Sequence, residues 1–143
     1  MTRTKHILTI LPEILSICRL DKDAAIPAWA LASRLFSLTR TAEELSVVAP
    51  QAQVPEGIKR DPGWRGLKVE GPLDLSATGV LASLTGPLAE GGISVFAVST
   101  YDTDYLLVKA RQLEKAVKVL TGKGHVVKGR RLARGARRKR KMA

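Results

Sequence analysis

The alternation of apolar and polar positions across residues 64–108 sets the plan of the chain. In residues 65–71, Leu67 and Val69 fall on one face and Lys68 and Glu70 on the other. This is the two-residue period of a half-buried strand. Gly71-Pro72-Leu73-Asp74 breaks the strand. Over residues 77–90, Val80, Leu81, Leu84 and Leu88 recur at helical spacing. Ser76 is placed to cap that helix, Asp74 to complement its positive end, and Gly91-Gly92 to stop it. Residues 93–99 read as a strand, 100–104 as a turn and 105–108 as a strand again.

The flanks follow the same logic. Residues 6–20 hold two apolar runs joined at Pro12-Glu13, which predicts one long bent strand or a tight hairpin. Residues 21–33 form a loop with one helical turn near 27–31, since Pro27 forbids more. Residues 34–41 and 45–50 read as an antiparallel hairpin closed by Thr41-Ala42-Glu43-Glu44. Pro55, Gly57, Pro62 and Gly63 mark 51–63 as a loop, with room for a helical turn. Residues 110–124 are an amphipathic helix, with Leu113, Ala116, Val117 and Leu120 inward and Lys115, Lys118 and Lys123 outward. A short strand at 125–127 closes the pattern.

The order after residue 64 is βαββαβ, the ferredoxin-like split unit. The order before it is a degraded copy that shares the strand at 64–71. The expected class is α+β: tandem ferredoxin-like units with an antiparallel sheet and helices on one face. The expected units are 1–63, 64–127 and a basic, unstructured tail at 128–143.

Composition narrows the function. Aromatics are 4% of the chain, too few for a base-stacking platform. The net charge is +11, yet residues 128–141 hold nine cations and no acid, leaving fifteen cations against thirteen acids in 1–127. Basicity is thus assigned to the tail, and nucleic acid is an expected partner only through 128–143. The single cysteine, Cys18, is read as a buried small hydrophobe and fits a reducing, cytoplasmic setting. His6 and His125 are read as surface or strand-end residues. No apolar run is long enough to span a membrane, and no membrane partner is expected. There is no Walker loop, G-x-G-x-x-G, metal cluster or activated nucleophile pair, so neither a cofactor nor catalysis is expected.

Residues 35–50 and 64–117, and above all Val69-Glu70-Gly71-Pro72-Leu73-Asp74 paired with the run from Ile93 to Val108, resemble the small ACT-domain proteins related to the CASTOR arginine sensors and the regulatory region of aspartate kinases. The resemblance covers roughly residues 10–127. It implies a non-catalytic regulatory module of two ACT-like units that binds a small molecule, most often an amino acid, between units. By that likeness the contacts are Gly71, Pro72, Leu73, Asp74, Leu75 and Ser76 from the first loop, and Val98, Ser99, Thr100, Tyr101 and Asp104 from the second strand and its turn. One pair of units implies a homodimer or another ACT-containing chain as partner. The residues themselves suit an amino acid: amides at a helix start take a carboxylate, and Asp74 or Asp104 takes a cation.

Overall fold

The computed structural model describes residues 5–74 and 76–133. Seven strands form one sheet: β1 (Ile7–Leu20), β2 (Ser37–Arg40), β3 (Leu45–Pro50), β4 (Lys59–Val69), β5 (Phe96–Ser99), β6 (Asp104–Lys109) and β7 (Val126–Lys128). Two helices, α1 (Val80–Glu90) and α2 (Leu113–Gly122), lie in its second half. The strand order is β2-β3-β1-β4-β6-β5, with β7 pairing to the free side of β1.

The two long strands carry the architecture. β1 is one bent strand of 14 residues and pairs antiparallel with β4 along most of its length. The register slips twice, between Ile10 and Ile14 and between Leu15 and Ile17. The first slip places Pro12 in the extra residues of β1, and the second places Pro62-Gly63 in the extra residues of β4. A proline has no N–H to give a ladder, so both sit where the ladder asks for none. This corrects the loop expected over 51–63. β4 begins at Lys59, Gly63 takes φ 80°, and the Gln51 side chain accepts its N–H at 2.8 Å.

The sheet is antiparallel except at β7, which runs parallel to the first residues of β1 (Ile7 beside Val126, Thr9 beside Lys128). β1 therefore lies between β4 and β7. Both helices cover one face, where Leu84, Leu88, Leu113, Ala116, Val117 and Leu120 pack on Leu8, Ile10, Leu67, Val69, Leu106 and Val108. Burying each such leucine contributes about 1.5–3 kcal/mol. In the first half the strands are joined by the 41–44 hairpin turn and by two 3-10 turns, Ala28–Leu31 and Gln51–Gln53, over a smaller cluster around Cys18, Leu45, Val47 and Ala49. The opposite face holds Leu15, Val48, Trp64 and Leu107.

Local expectations shift at the element ends. α1 starts at Val80, three residues later than its periodicity suggests, because Gly79 turns left-handed (φ 80°) and serves as N-cap without a side-chain bond. Ser76 is not the cap. Its N–H and Oγ both donate to Asp74 Oδ1 at 2.9 Å, so the pair closes a local turn instead. Leu75 lies outside the described residues. Gly92 (φ 78°) ends α1 as expected.

His6 and His125 stand at strand ends, directly before β1 and β7, but His125 is buried and not on the surface. Its Nδ1 accepts the His6 backbone N–H at 3.0 Å, and the two rings stack at 5.7 Å between centroids. Burial and the neighbouring His125 push the His6 imidazole below its ordinary pKa, with Asp104 opposing.

The tail does not begin at Lys128 either. Arg65, 3% exposed, donates to the carbonyls of Leu11, Arg130 and Arg131. A buried guanidinium needs acceptors, and here they hold residues 130–131 against the sheet. Residues 134–143 lie outside the described ones.

Candidate functional site

Two loops at one end of the helix-covered face meet and enclose a cavity of about 310 Å³. Three contacts join them. The Leu73 N–H donates to the Asp102 carbonyl at 2.6 Å, and the Thr103 hydroxyl donates to the Val69 carbonyl at 2.6 Å. Gly71 provides the third by having no side chain, since a Cβ there would stand 2.9 Å from the Asp102 oxygen. The Gly71-Pro72 peptide is cis. The 100–103 turn is closed on itself by the Thr100 N–H to the Thr103 carbonyl at 2.8 Å and by the Thr103 N–H to Thr100 Oγ1 at 3.2 Å.

Three carboxylates line the cavity: Asp74, Asp102 and Asp104. Ser99, Thr100 and Thr103 supply hydroxyls, and Leu73, Val80 and Leu81 supply apolar wall. Lysine, arginine, histidine and cysteine are absent from the lining among the described residues. The two Ser76 hydrogen bonds lower the pKa of the Asp74 carboxyl from its ordinary value.

The first turn of α1 forms the opposite wall. Its first ladder bond is Ser83 N–H to the Gly79 carbonyl, at 2.9 Å. The amides of Val80, Leu81 and Ala82 therefore precede the ladder, and all three residues line the cavity. Amides without ladder partners on one side and carboxylates on the other suit a zwitterion.

Of the sequence-predicted residues, Leu73, Asp74, Ser99, Thr100, Tyr101 and Asp104 line this cavity. Gly71, Pro72 and Ser76 do not. Gly71 seats the turn and Ser76 fixes Asp74. Val98 is on the other side of the sheet. It pairs with Tyr105, whereas Ser99 pairs with Asp104 and shares the cavity side. Sequence reasoning missed Asp102, Thr103 and the residues at the start of α1. A Thr-x-Asp-Thr turn followed directly by a second aspartate was the available signal.

A second depression of about 420 Å³ lies beside β1 and β4, with Arg19, Glu44, Lys59, Arg60 and Asp61 in its lining. Its charges are of both signs, and the Arg60 guanidinium is already spent on the carbonyls of Val54, Pro55 and Ile58.

Residues 59–122 match the ACT domain family, and residues 13–57 match a second model described only as an N-terminal domain. The cytosolic arginine sensor for mTORC1 subunit 1 of Bos taurus is 30% identical over 102 residues, which is 61% of this chain and 30% of the sensor. This chain thus spans less than a third of that relative's length. A crystal structure of a protein from Agrobacterium tumefaciens is 37% identical, with TM-score 0.87, and the match covers 94% of this chain and 100% of that one. The regulatory subunit of aspartate kinase from Thermus flavus shares the fold at 11% identity and TM-score 0.58, over 81% of this chain and 95% of that one.

Proposed function

The chain belongs with the ACT-domain proteins related to the arginine sensors, and from that premise we propose that it is a non-catalytic regulatory module that binds an amino acid with a cationic side chain. One observation carries the reading: three carboxylates and no cation line the cavity. A ligand with net positive charge is favoured there, and an acidic one is repelled. The α-carboxylate goes to the amides at the start of α1. The cationic group goes to Asp102 or Asp104, and Asp74 closes the first loop. The bovine relative is an arginine sensor, and arginine carries that charge.

The module is read as two ACT-like units that share β4, with the site in the second. Tyr101, 80% exposed beside the cavity, is where a second copy or another ACT-containing chain closes over the ligand. A thermal-shift series with all twenty amino acids tests the reading. Arginine or lysine raises the melting temperature saturably, because a ligand that binds the native state stabilises it by about 2.7 kcal/mol at a hundred times its Kd. Equal shifts with leucine and glutamate, or none with either basic amino acid at millimolar concentration, would sink it. Light scattering with and without the active amino acid tests for the second chain.

A further inference from the structure

The charge of the chain is divided between two regions of the fold. Residues 1–108 hold ten Lys and Arg against twelve acids, and residues 109–133 hold eight against one, Glu114. The second stretch builds α2, β7 and the segment after them. β7 is the outer strand beside β1, and α2 packs next to it. Arg111, Lys115 and Lys118 are exposed on α2 or just before it, and Lys123 is exposed on the turn that follows it, whereas Lys128 alternates with Val127, which packs under the helices, and so faces the other side of the sheet. Glu114 is paired with Arg131 at 3.3 Å, which neutralises the one acid and ties the segment after β7 to the first turn of α2. Arg65 fixes the same segment from below. Residues 134–143 add six cations and no acid.

We propose that the exposed side of α2, with the turns that flank it, is a binding face for the phosphate backbone of double-stranded DNA. The cations stand on a fixed helix and its flanking turns, so their spacing is preset. A helix of this length spans about 15 Å, and duplex DNA offers one charge per about 1.7 Å of axis. The other polyanions fit less well. Residues 109–133 hold no Phe, Trp or Tyr to stack single-stranded bases. The exposed hydroxyl of α2, that of Thr121, is turned back onto the carbonyls of Val117 and Lys118, and no exposed Asn, Gln or Ser stands beside it to meet the 2′-hydroxyls of an RNA duplex. α2 exposes no large apolar side chain to enter a membrane. Binding of this kind is independent of base sequence and independent of the amino-acid cavity.

Fluorescence anisotropy with a short labelled duplex of random sequence tests this on the full chain. The unmodified protein binds at low salt, and log Kd rises steeply with log salt. The double variant K115E/K118E loses about tenfold or more in affinity and its salt slope falls by about two, one for each lost phosphate contact. Both positions are exposed, so its melting temperature stays that of the parent. The pair R111E/K123E repeats the loss from the turns at the two ends of α2, so one misfolded variant does not decide the matter. No binding at low salt overturns the proposal. So does full retention in both double variants combined with loss in R137E/R138E, which would leave the tail as the sole site. Tighter binding to an RNA duplex or to phosphatidylserine vesicles than to DNA also overturns it.

Discussion

Both halves of the sheet set a hairpin beside a long strand, β2–β3 beside β1 and β5–β6 beside β4, yet they differ in what joins and covers the strands. Apart from the hairpin turns, the connections in the first half are 3-10 turns of four and three residues. In the second they are helices of 11 and 10 residues. A 3-10 turn covers little apolar surface and ends before a set of unpaired amides can gather at its start. α1 does both, and the two loops that meet over its first turn close the cavity. The comparison teaches that the strands supply the platform, and that helix length decides where a site can form.

The largest test of this contrast removes core from each half. Leu84→Ala under α1 and Leu45→Ala in the first half, both in fully packed positions, each cost about 2–5 kcal/mol in chemical denaturation. Only the first also abolishes the thermal shift by arginine or lysine when measured under conditions where both variants remain folded. Equal loss of ligand response in the two would erase the distinction between platform and site.

A smaller effect comes from the seat of the turn. Gly71→Val drives a side chain into the Asp102 carbonyl and displaces the 100–103 turn. It costs about 1–3 kcal/mol, in the range of overpacked sites, and weakens the ligand by more than its effect on stability accounts for. Calorimetric titration separates the two. Asp104→Asn is milder still for the fold. It leaves the melting temperature near that of the parent and lowers affinity for a cationic amino acid about tenfold, in line with the loss of one charge-assisted bond.

The smallest effect is on pH dependence. The folded chain holds the His6 imidazole below its ordinary pKa, so it takes up a proton less readily than the unfolded chain. The resulting stability is present above about pH 6.5 and declines as the pH falls below it. The decline stops once His6 is protonated in the folded state as well. His6→Asn keeps the backbone bond to His125 and flattens this part of a melting curve series taken against pH.

Much of this was legible in the chain. The helices, the β2–β3 hairpin and the β5–β6 hairpin follow from local period and turn chemistry, and both cavity loops were found by the same means. What was lost has a common cause. The start of β4 was hidden because Pro62-Gly63 reads as a loop until its bulge partner on β1 is known. The parallel pairing of β7 depends on residues over a hundred positions away. Ser76 was misread because Asp74 competes for its groups at shorter range than the helix does. Val98 was avoidable, since strand alternation forbids it from sharing a face with Ser99. The basic charge was located by counting along the sequence, which cannot show that α2 and β7 lie side by side.

The placement of β1 between β4 and β7 has a consequence for how the molecule is made. The contact between His6 and His125 joins residues 119 positions apart, and the second half borrows its central strand from the beginning of the described chain. Synthesis from the N-terminus therefore lets β4 pair with one edge of this stretch but leaves the other edge of Ile7–Thr9 open until Val126–Lys128 has emerged. Long-range pairing of this kind makes the last step of folding slow relative to the hairpins that form behind the ribosome. The early apolar strand is exposed in that interval, and the protein is most open to misassembly or chaperone capture just before its final strand arrives.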